Sequence, residues 1–436
     1  MVQVYSWVNQ MLETIADLGR HYLEIPAKQH SYSSLKKLCH TLIQKRGEAS
    51  GTALAKEIVD SIHQLDPEDI VKFLQMLATE FAPDTDEILQ AAEKYIKNQN
   101  YENLKTLNSA VESPRLELLR LINIAPGGIA TIIALREKLL IEVKKHRLLE
   151  PLETDMFHLL AAWFNRGFLT FQQVDWETPA VILEKLIEYE AVHEIQGWQD
   201  LRRRLANDRR CFAFFHPALP TEPLIFVEVA YTKGISRKIQ PLLSQEKDTS
   251  LADSADTAIF YSISNCQEGL RGISMGNFLI KQVVDFINTE TPQIKNFCTL
   301  SPIPRFSRWL HEEFLQQDDE LITDTEKELM SPKDWFRDGS NRNLLKTKLM
   351  KLCARYLYSE KKRNRPIDPV TRFHLGNGAE IEAINWEADL SDSGLSQSAG
   401  LMVNYRYNPS KIVSNHEAYT NEGKISISSQ VRKLLD

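Results

Sequence analysis

The stretch that decides the fold runs from Ala258 to Pro304 and reads AIFYSISNCQEGLRGISMGNFLIKQVVDFINTETPQIKNFCTLSPIP. Ala258–Ser264 is apolar and rich in β-branched and aromatic residues, which predicts a buried strand. From Met275 to Ile287 the apolar residues recur at helical spacing, which predicts an amphipathic helix. Asn296–Leu300 predicts a second strand, which stops before Pro302 because proline cannot donate to a β-ladder.

A glycine-bearing loop, Arg271-Gly272-Ile273-Ser274-Met275-Gly276-Asn277, lies between the first strand and the helix. Its small residues let backbone N–H groups approach a ligand, and the helix N-terminus after it carries a positive dipole end. The loop therefore predicts an anion site, most naturally for a phosphate. A turn that needs glycine for geometry alone is an alternative. A nucleophile elbow also matches the letters G-x-S-x-G, but Asn265–Arg271 separate the strand from Ser274, which disfavours it.

Length, composition and charge exclude several classes of protein. A chain of 436 residues is too long for one ordinary core, so two domains are expected. Its 43% hydrophobic and 25% charged residues are typical of a globular protein. A net charge of −7 gives no electrostatic reason to expect a nucleic-acid partner or an acidic membrane surface. No window approaches the roughly 20 apolar residues that span a bilayer.

The cysteines and the N-terminal residues bear on the compartment. The five cysteines are odd in number, scattered and never in a CxxC pair, which indicates reduced thiols and no zinc site. The first 22 residues lack the basic, apolar and cleavage segments of a signal peptide. We therefore expect a cytoplasmic protein.

The two parts of the chain differ in glycine content and in the spacing of their apolar residues. Residues 1–163 have little glycine and apolar residues at three- and four-residue spacing, which predicts a helical bundle. Residues 164–436 alternate predicted strands with helices, including an antiparallel hairpin of Cys211–Phe215 and Leu224–Ala230. Phe373–Gly378 is predicted to be a turn. The predicted fold is an N-terminal helical bundle followed by an α/β (α+β) domain.

The pattern Arg271-x-x-Ser274-x-Gly276, followed by an amphipathic helix, resembles the pyrophosphate-binding loop of the GNAT acetyltransferase superfamily. Ser274 stands where that superfamily usually has glycine. The resemblance implies a mixed, splayed sheet, with the pantetheine arm of an acyl-CoA between the two flanking strands. The thioester would then lie near Ser301, at the end of the second strand.

Nearly the full length of the chain resembles the malonyl-CoA decarboxylase family. The segments that carry the resemblance are FYSIS at 260–264, GLRG at 269–272, FLIK at 278–281, LSPIP at 300–304, FHL at 373–375, INW at 384–386, GLM at 400–402 and NYRY at 404–407. The resemblance implies a helical N-terminal domain, at 1–163, and a GNAT-like catalytic domain, at 164–436.

The family implies decarboxylation of malonyl-CoA to acetyl-CoA and CO2, with Ser301 and His374 as the catalytic pair. Ser262 and Tyr407 match supporting polar residues. Loss of CO2 leaves an enolate, which needs a hydrogen bond at oxygen and a proton at carbon, and a histidine suits the second task. No metal or cofactor is expected, because the thioester itself accepts the electron pair. Some members carry glutamate where this chain has Ser274, so that acid's role must be filled differently here.

Two other functions remain open on the sequence. A GNAT-type acyltransferase would release CoA only with an acceptor, and a non-catalytic acyl-CoA-binding protein would bind without turnover. The family also implies a homo-oligomer, a dimer or a tetramer, with the helical domain packing the subunits together.

Overall fold

The computed structural model describes residues 11–19, 31–44, 47–244, 254–273, 279–316, 321–332 and 334–436. The chain divides into two compact units. The first unit comprises Met1–Thr170, Phe215–Leu224 and Gln267–Met275, and the second comprises Phe171–Phe214, Ile225–Cys266 and Gly276–Asp436. Among the described residues, no helix is long and apolar enough to cross a membrane.

The first unit is helical. Its helices are α1 (residues 11–19), α2 (Tyr32–Gln44), α3 (Glu48–Ile62), α4 (Pro67–Thr79), α5 (Thr85–Lys97), α6 (Tyr101–Val111), α7 (Pro114–Ile124), α8 (Gly128–Glu142) and α9 (Glu150–Trp163). Local signals set their ends: Asp66 caps α4 by accepting from the Asp69 N–H at 2.8 Å, and Pro67 occupies the first helical position. The core is formed by the fully buried faces of these helices, with Leu77, Leu118 and Ile132 at its centre.

The second unit is built on one mixed sheet. Its strands are β1 (Thr170–Val174), β2 (Arg209–Phe215), β3 (Ile225–Thr232), β4 (Thr257–Asn265), β5 (Asn296–Thr299), β6 (Ser301–Pro302), β9 (Glu380–Asn385) and β10 (Met402–Arg406), and the exposed hairpin of β7 (Lys361–Lys362) and β8 (Arg365–Pro366) lies outside this sheet. The order is β1-β2-β3-β4-β5-β10-β6, with β9 also on β10. The β4–β5 pair is parallel, whereas β2–β3, β3–β4 and β5–β10 are antiparallel.

Helices accompany this sheet. They are α10 (Ala180–Tyr189), α11 (Trp198–Arg204), α12 (Gln240–Leu243), α13 (Leu279–Glu290), α14 (Phe306–Trp309, continued by a π-helical turn at Leu310–Phe314), α15 (Asp324–Met330), α16 (Gly339–Tyr358), α17 (Pro369–Gly376), α18 (Asp392–Ser398), α19 (Ile412–Glu422) and α20 (Ser429–Leu435). Helix α13 packs on the sheet through Phe286, whose ring meets those of Phe171 and Phe212 edge-on. The predicted strand–helix–strand order is therefore present.

The sheet splays open between β4 and the end of β5. The parallel ladder pairs only Thr257–Phe260 with Asn296–Thr299, and a last bond joins the Leu300 N–H to the Phe260 carbonyl at 3.0 Å. Beyond this point β4 continues to Asn265, whereas Ser301 and Pro302 pair with β10 instead. The two strands therefore separate where the resemblance predicted a cleft.

The predicted fold class is confirmed: a helical unit precedes a mixed α/β sheet. One local prediction is wrong for most of its length, since only Asn377 and Gly378 of the segment Phe373–Gly378 form a turn. Its first four residues end helix α17, which begins after the capping residue Asp368 with Pro369 at its first position. The division of the chain after residue 163 stays a prediction. Of the predicted phosphate loop, residues 274–277 lie outside the described part of the chain.

Candidate active site

Helix α17 carries His374 to the open end of the sheet. Asp368 starts the helix by accepting from the N–H of Thr371 at 2.8 Å and from its hydroxyl at 2.9 Å. Residues three and four positions apart share one helical face. Pro369, Val370, Phe373 and His374 are therefore neighbours on α17, and all four line one pocket.

This pocket has a volume of about 230 Å³. Its walls come from β4, β6, α17 and the segment after α10. The lining residues are Val192, Phe260, Tyr261, Ser262, Ile263, Asn265, Ser301, Pro302, Pro369, Val370, Phe373 and His374. The pocket therefore occupies the cleft that the separation of β4 from β6 creates, and most of its wall is apolar.

Ser301 and His374 meet at this pocket. The Ser301 Oγ lies 3.0 Å from the His374 Nε2 and 2.9 Å from the Thr299 Oγ1, to which it can donate. Both side chains are buried, with 6% of Ser301 and 2% of His374 exposed. Thr299 is itself fixed, because its hydroxyl oxygen accepts from the Tyr405 N–H at 3.1 Å. The pair implied by the resemblance thus lies within hydrogen-bonding distance, although 73 residues separate its members in sequence.

Two tyrosines hold the imidazole of His374 in place. The Tyr407 hydroxyl lies 2.8 Å from Nδ1, on the side of the ring away from Ser301. Tyr405 stacks on the ring with centroids 4.4 Å apart, and its own hydroxyl bonds to Thr371 at 2.7 Å. Tyr407 is not among the residues that line the pocket; it contacts the ligand site through His374. The ring is therefore positioned by contacts on both edges and one face.

Burial lowers the pKa of His374 to about 3, because the charged imidazolium would lose its hydration. Among the described residues, no carboxylate hydrogen-bonds to the ring. The described hydrogen-bond partners of the ring therefore supply no negative charge that would favour its protonated form. His374 is therefore neutral at physiological pH, so it can offer an N–H group and a lone pair but no positive charge.

This neutral histidine predicts a loss of stability in acid. An unfolded histidine titrates near pH 6.5, so below that pH the unfolded chain takes up a proton that the folded chain does not bind until about pH 3. The free energy of unfolding should therefore fall as pH decreases through this window, by up to about 1.4 kcal/mol per pH unit from this group. In His374→Gln, urea unfolding measured between pH 7 and pH 5 should show a pH slope shallower by about one proton. If the free energy of unfolding changed equally with pH in the wild type and in His374→Gln, this prediction would be contradicted.

Ser262 lies on the opposite wall of the pocket, on β4. Its hydroxyl contacts both carboxylate oxygens of Glu190, at 2.7 and 2.8 Å. Glu190 follows α10 and was not singled out in the sequence, where an isolated acid in Tyr189-Glu190-Ala191 resembles any surface residue. It is nevertheless buried, with 7% exposed. Thr299 and Tyr405 were missed for the same reason, since no local pattern marks them.

The first three residues of the predicted phosphate loop belong to the first unit. The Arg271 side chain is 56% exposed and pairs with Glu268 at 3.2 Å. Gly272 has a φ of +84°, and the Ile273 N–H bonds to the Leu270 carbonyl. Arg136 donates to the carbonyl oxygens of Gly269 and Arg271 at 2.6 and 3.1 Å. Ser274, Met275, Gly276 and Asn277 lie outside the described residues, so the loop itself stays a prediction.

Nothing in the described part of the chain suggests a metal centre. No group of three or more histidine, cysteine, aspartate or glutamate residues is placed there to hold an ion. All five cysteines are buried, and no disulfide bond joins any two of them. The polar side chains among the pocket's lining residues carry hydroxyl, carboxamide and imidazole groups.

Fold and pocket together define a class: a helical unit followed by a splayed mixed sheet that buries a serine–histidine pair. The malonyl-CoA decarboxylase C-terminal domain matches residues 167–436, and the N-terminal domain of the same family matches residues 81–164. The chain belongs to the malonyl-CoA decarboxylase family.

Individual relatives agree with this assignment. The goose (Anser anser anser) protein, named mitochondrial malonyl-CoA decarboxylase, is 40% identical over 301 residues, which are 64% of this chain and 60% of the goose protein. The mouse protein of the same name is 38% identical over 71% of this chain and 68% of its own length. The chain thus spans less than two thirds of the goose protein.

Solved structures of bacterial relatives match over more of the chain. The crystal structure of malonyl-CoA decarboxylase from Rhodopseudomonas palustris is 46% identical, with a TM-score of 0.89 over 92% of this chain and 99% of that one. The enzyme from Agrobacterium vitis is 45% identical, with a TM-score of 0.85 over 92% of this chain and 100% of that one.

Proposed function

We propose that this chain decarboxylates malonyl-CoA to acetyl-CoA and CO2. The observation that carries the proposal is the distance of 3.0 Å between the Ser301 Oγ and the His374 Nε2, which is within hydrogen-bonding range. Both residues line the pocket, and this chain belongs to the malonyl-CoA decarboxylase family. The acyl arm would lie along the free end of β4, and the malonyl group would reach Ser301. The loop of residues 271–277 would hold the CoA pyrophosphate.

The hydrogen bonds around His374 support one tautomer. In the part of the chain that the structure describes, Nδ1 is the one partner of the Tyr407 hydroxyl. A buried hydroxyl that donates to nothing costs about 1–3 kcal/mol, so Tyr407 is assigned as the donor. Nδ1 then accepts, and the neutral ring carries its proton on Nε2, facing Ser301. Ser301 can accept this proton's hydrogen bond while donating its own proton to Thr299.

This arrangement suits an enolate better than a nucleophilic attack. When CO2 leaves, the broken C–C bond gives its electron pair to an enolate, whose charge lies on the thioester oxygen. The Ser301 hydroxyl, turned from Thr299 into the pocket, donates to that oxygen, and such a donor is typically worth about 10²–10³ in rate.

The Nε2 proton of His374 then moves to the enolate carbon, which is a far stronger base than the ring. The Tyr407 hydroxyl on Nδ1 stabilises the charge left on the imidazole. A proton from water restores the ring when acetyl-CoA leaves. The malonyl carboxylate, the enolate and the imidazolate carry one negative charge in turn, and protonation of the ring by water releases that charge as hydroxide. The reaction therefore consumes one proton overall.

An experiment in D2O tests the proposal. Malonyl-CoA incubated with the purified protein should give acetyl-CoA with one deuterium in its methyl group, detected by mass spectrometry. Release of free CoA and malonate would instead indicate a hydrolase. CoA release only with an added amine would indicate an acyltransferase, and binding without turnover would indicate an acyl-CoA-binding protein. Any of these three results would overturn the proposal.

We also propose a cytoplasmic location and a homo-oligomer, a dimer or a tetramer. The five cysteines form no disulfide with one another, which suits a reducing compartment. Light scattering of the purified chain should give a mass of two or four times 50.1 kDa. A monomer at micromolar concentration would contradict the second proposal.

A further inference from the structure

A buried carboxylate behind the pocket has no part in the chemistry described so far. Glu190 accepts from the hydroxyls of Ser262, at 2.7 and 2.8 Å, and Ser264, at 3.1 Å. It also accepts from the backbone N–H groups of His193 at 2.7 Å and Val192 at 3.0 Å. In the described residues it forms no ion pair with a basic side chain. A buried charge held only by neutral donors is costly, so its position suggests a use.

The consequence for Ser262 follows from its donor inventory. A serine hydroxyl has one proton and two lone pairs. A carboxylate can only accept, and both Glu190 oxygens lie within reach of the Ser262 hydroxyl, so that proton points at Glu190. Toward the pocket, Ser262 can therefore only accept a hydrogen bond. Ser264 makes the same bond to Glu190 but does not line the pocket.

The hydroxyl and imidazole groups of the pocket therefore differ in what they offer. Ser301 and His374 offer donors and Ser262 offers an acceptor, whereas the carboxamide of Asn265, which also lines the pocket, can do either. A malonyl thioester has only acceptors at its acyl end, namely its carboxylate and its carbonyl oxygen. The donors of an acyl-CoA that can enter a narrow pocket are the amide N–H groups of the pantetheine arm.

We propose that Glu190 is a positioning residue that fixes Ser262 as the acceptor for an amide N–H of the acyl-CoA arm, and so orients the thioester toward Ser301. The inference rests on the proposed function for the identity of the ligand. It further implies that the malonyl carboxylate does not bind at the Ser262 hydroxyl, because two acceptors repel each other.

A double-mutant cycle tests this inference with two readouts. Glu190→Gln keeps the shape, but its amide N–H₂ donates to Ser262 and frees the serine proton to face the pocket. Glu190→Gln and Ser262→Ala should each weaken acetyl-CoA binding about tenfold, measured by calorimetry, and lower kcat/KM for malonyl-CoA at least as much. The double variant should be no worse than Ser262→Ala, because Glu190 acts through Ser262. Ser264→Ala, the matched control, should stay within twofold of wild type.

Three results would overturn the inference. They are wild-type binding in Glu190→Gln, losses that multiply in the double variant, and a Ser264→Ala loss as large as that of Ser262→Ala. The thermal midpoint of each variant is measured as well, because it identifies a purely structural effect. With such an effect, the binding losses of the two single variants would multiply in the double variant. If the wild-type protein binds acetyl-CoA without turning over malonyl-CoA, the proposed function fails. The acetyl-CoA binding measurements would then still decide the role of Glu190.

Discussion

Replacing His374 by alanine is expected to lower kcat for malonyl-CoA by about 10²–10⁴-fold, with little change in KM, because the change removes the group that we propose protonates the enolate carbon. The ring contacts Ser301, Tyr405 and Tyr407. It lines the pocket beside Ser301, where the proposal places the malonyl group rather than the pantetheine arm. Its loss should therefore affect the transition state more than the bound substrate. Steady-state release of CO2 measures the effect.

Matched variants separate this expectation from general damage. Ser301→Ala should lower kcat by about 10²–10³-fold, and the double variant should be no worse than His374→Ala, because the two residues act as a unit. Ser274→Ala should cost less than either, whereas an elbow hydrolase would lose most at Ser274. His311→Asn, at a half-buried histidine that accepts from Trp335 at 3.0 Å, should keep kcat. A threefold loss or less in His374→Ala would exclude the pair.

The parts of the fold that local patterns determine could be predicted from the sequence. β4, α13 and β5 follow from hydrophobic periodicity, and the start of α4 follows from its capping aspartate and proline. Helix α17 has the same start signal, Asp368 before Pro369, but Gly376 and Gly378 after Leu375 favour a turn at its end. What no local pattern contains is the contact of the Thr371 hydroxyl with Tyr405, which lies 34 residues away.

The candidate site depended on resemblance rather than on pattern. Ser301 reads locally as a strand end before proline, and only the splay of β4 from β6 exposes it to a pocket. Glu190 was missed because its partner Ser262 lies 72 residues away. Contacts at such separation are set by the order of the strands, which a single sequence does not contain.

Replacing Gly378 by alanine is expected to lower the free energy of unfolding by about 2–5 kcal/mol. Gly378 has a φ of +82°, which costs an L-residue about 1–2 kcal/mol. A Cβ there would also lie 2.1 Å from the carbonyl oxygen of Ile412, at the start of α19, and relieving such overpacking costs about 1–3 kcal/mol more. Because the Ala379 N–H bonds to the His374 carbonyl at 3.1 Å, the required backbone shift should also displace the His374 ring and, under the proposed function, lower kcat.

Gly234→Ala carries the backbone strain of a positive φ without a steric clash, so comparing it with Gly378→Ala separates the two effects. Gly234 has a φ of +75°, but nothing lies within 4 Å of the position that its Cβ would take. This variant should therefore lose only the conformational part, about 1–2 kcal/mol, and should keep kcat. The difference between the two variants in urea unfolding measures how firmly α17 is held against α19. Equal losses would mean that the two helices separate at little cost, and the position of His374 would then depend on Tyr405 and Tyr407 instead.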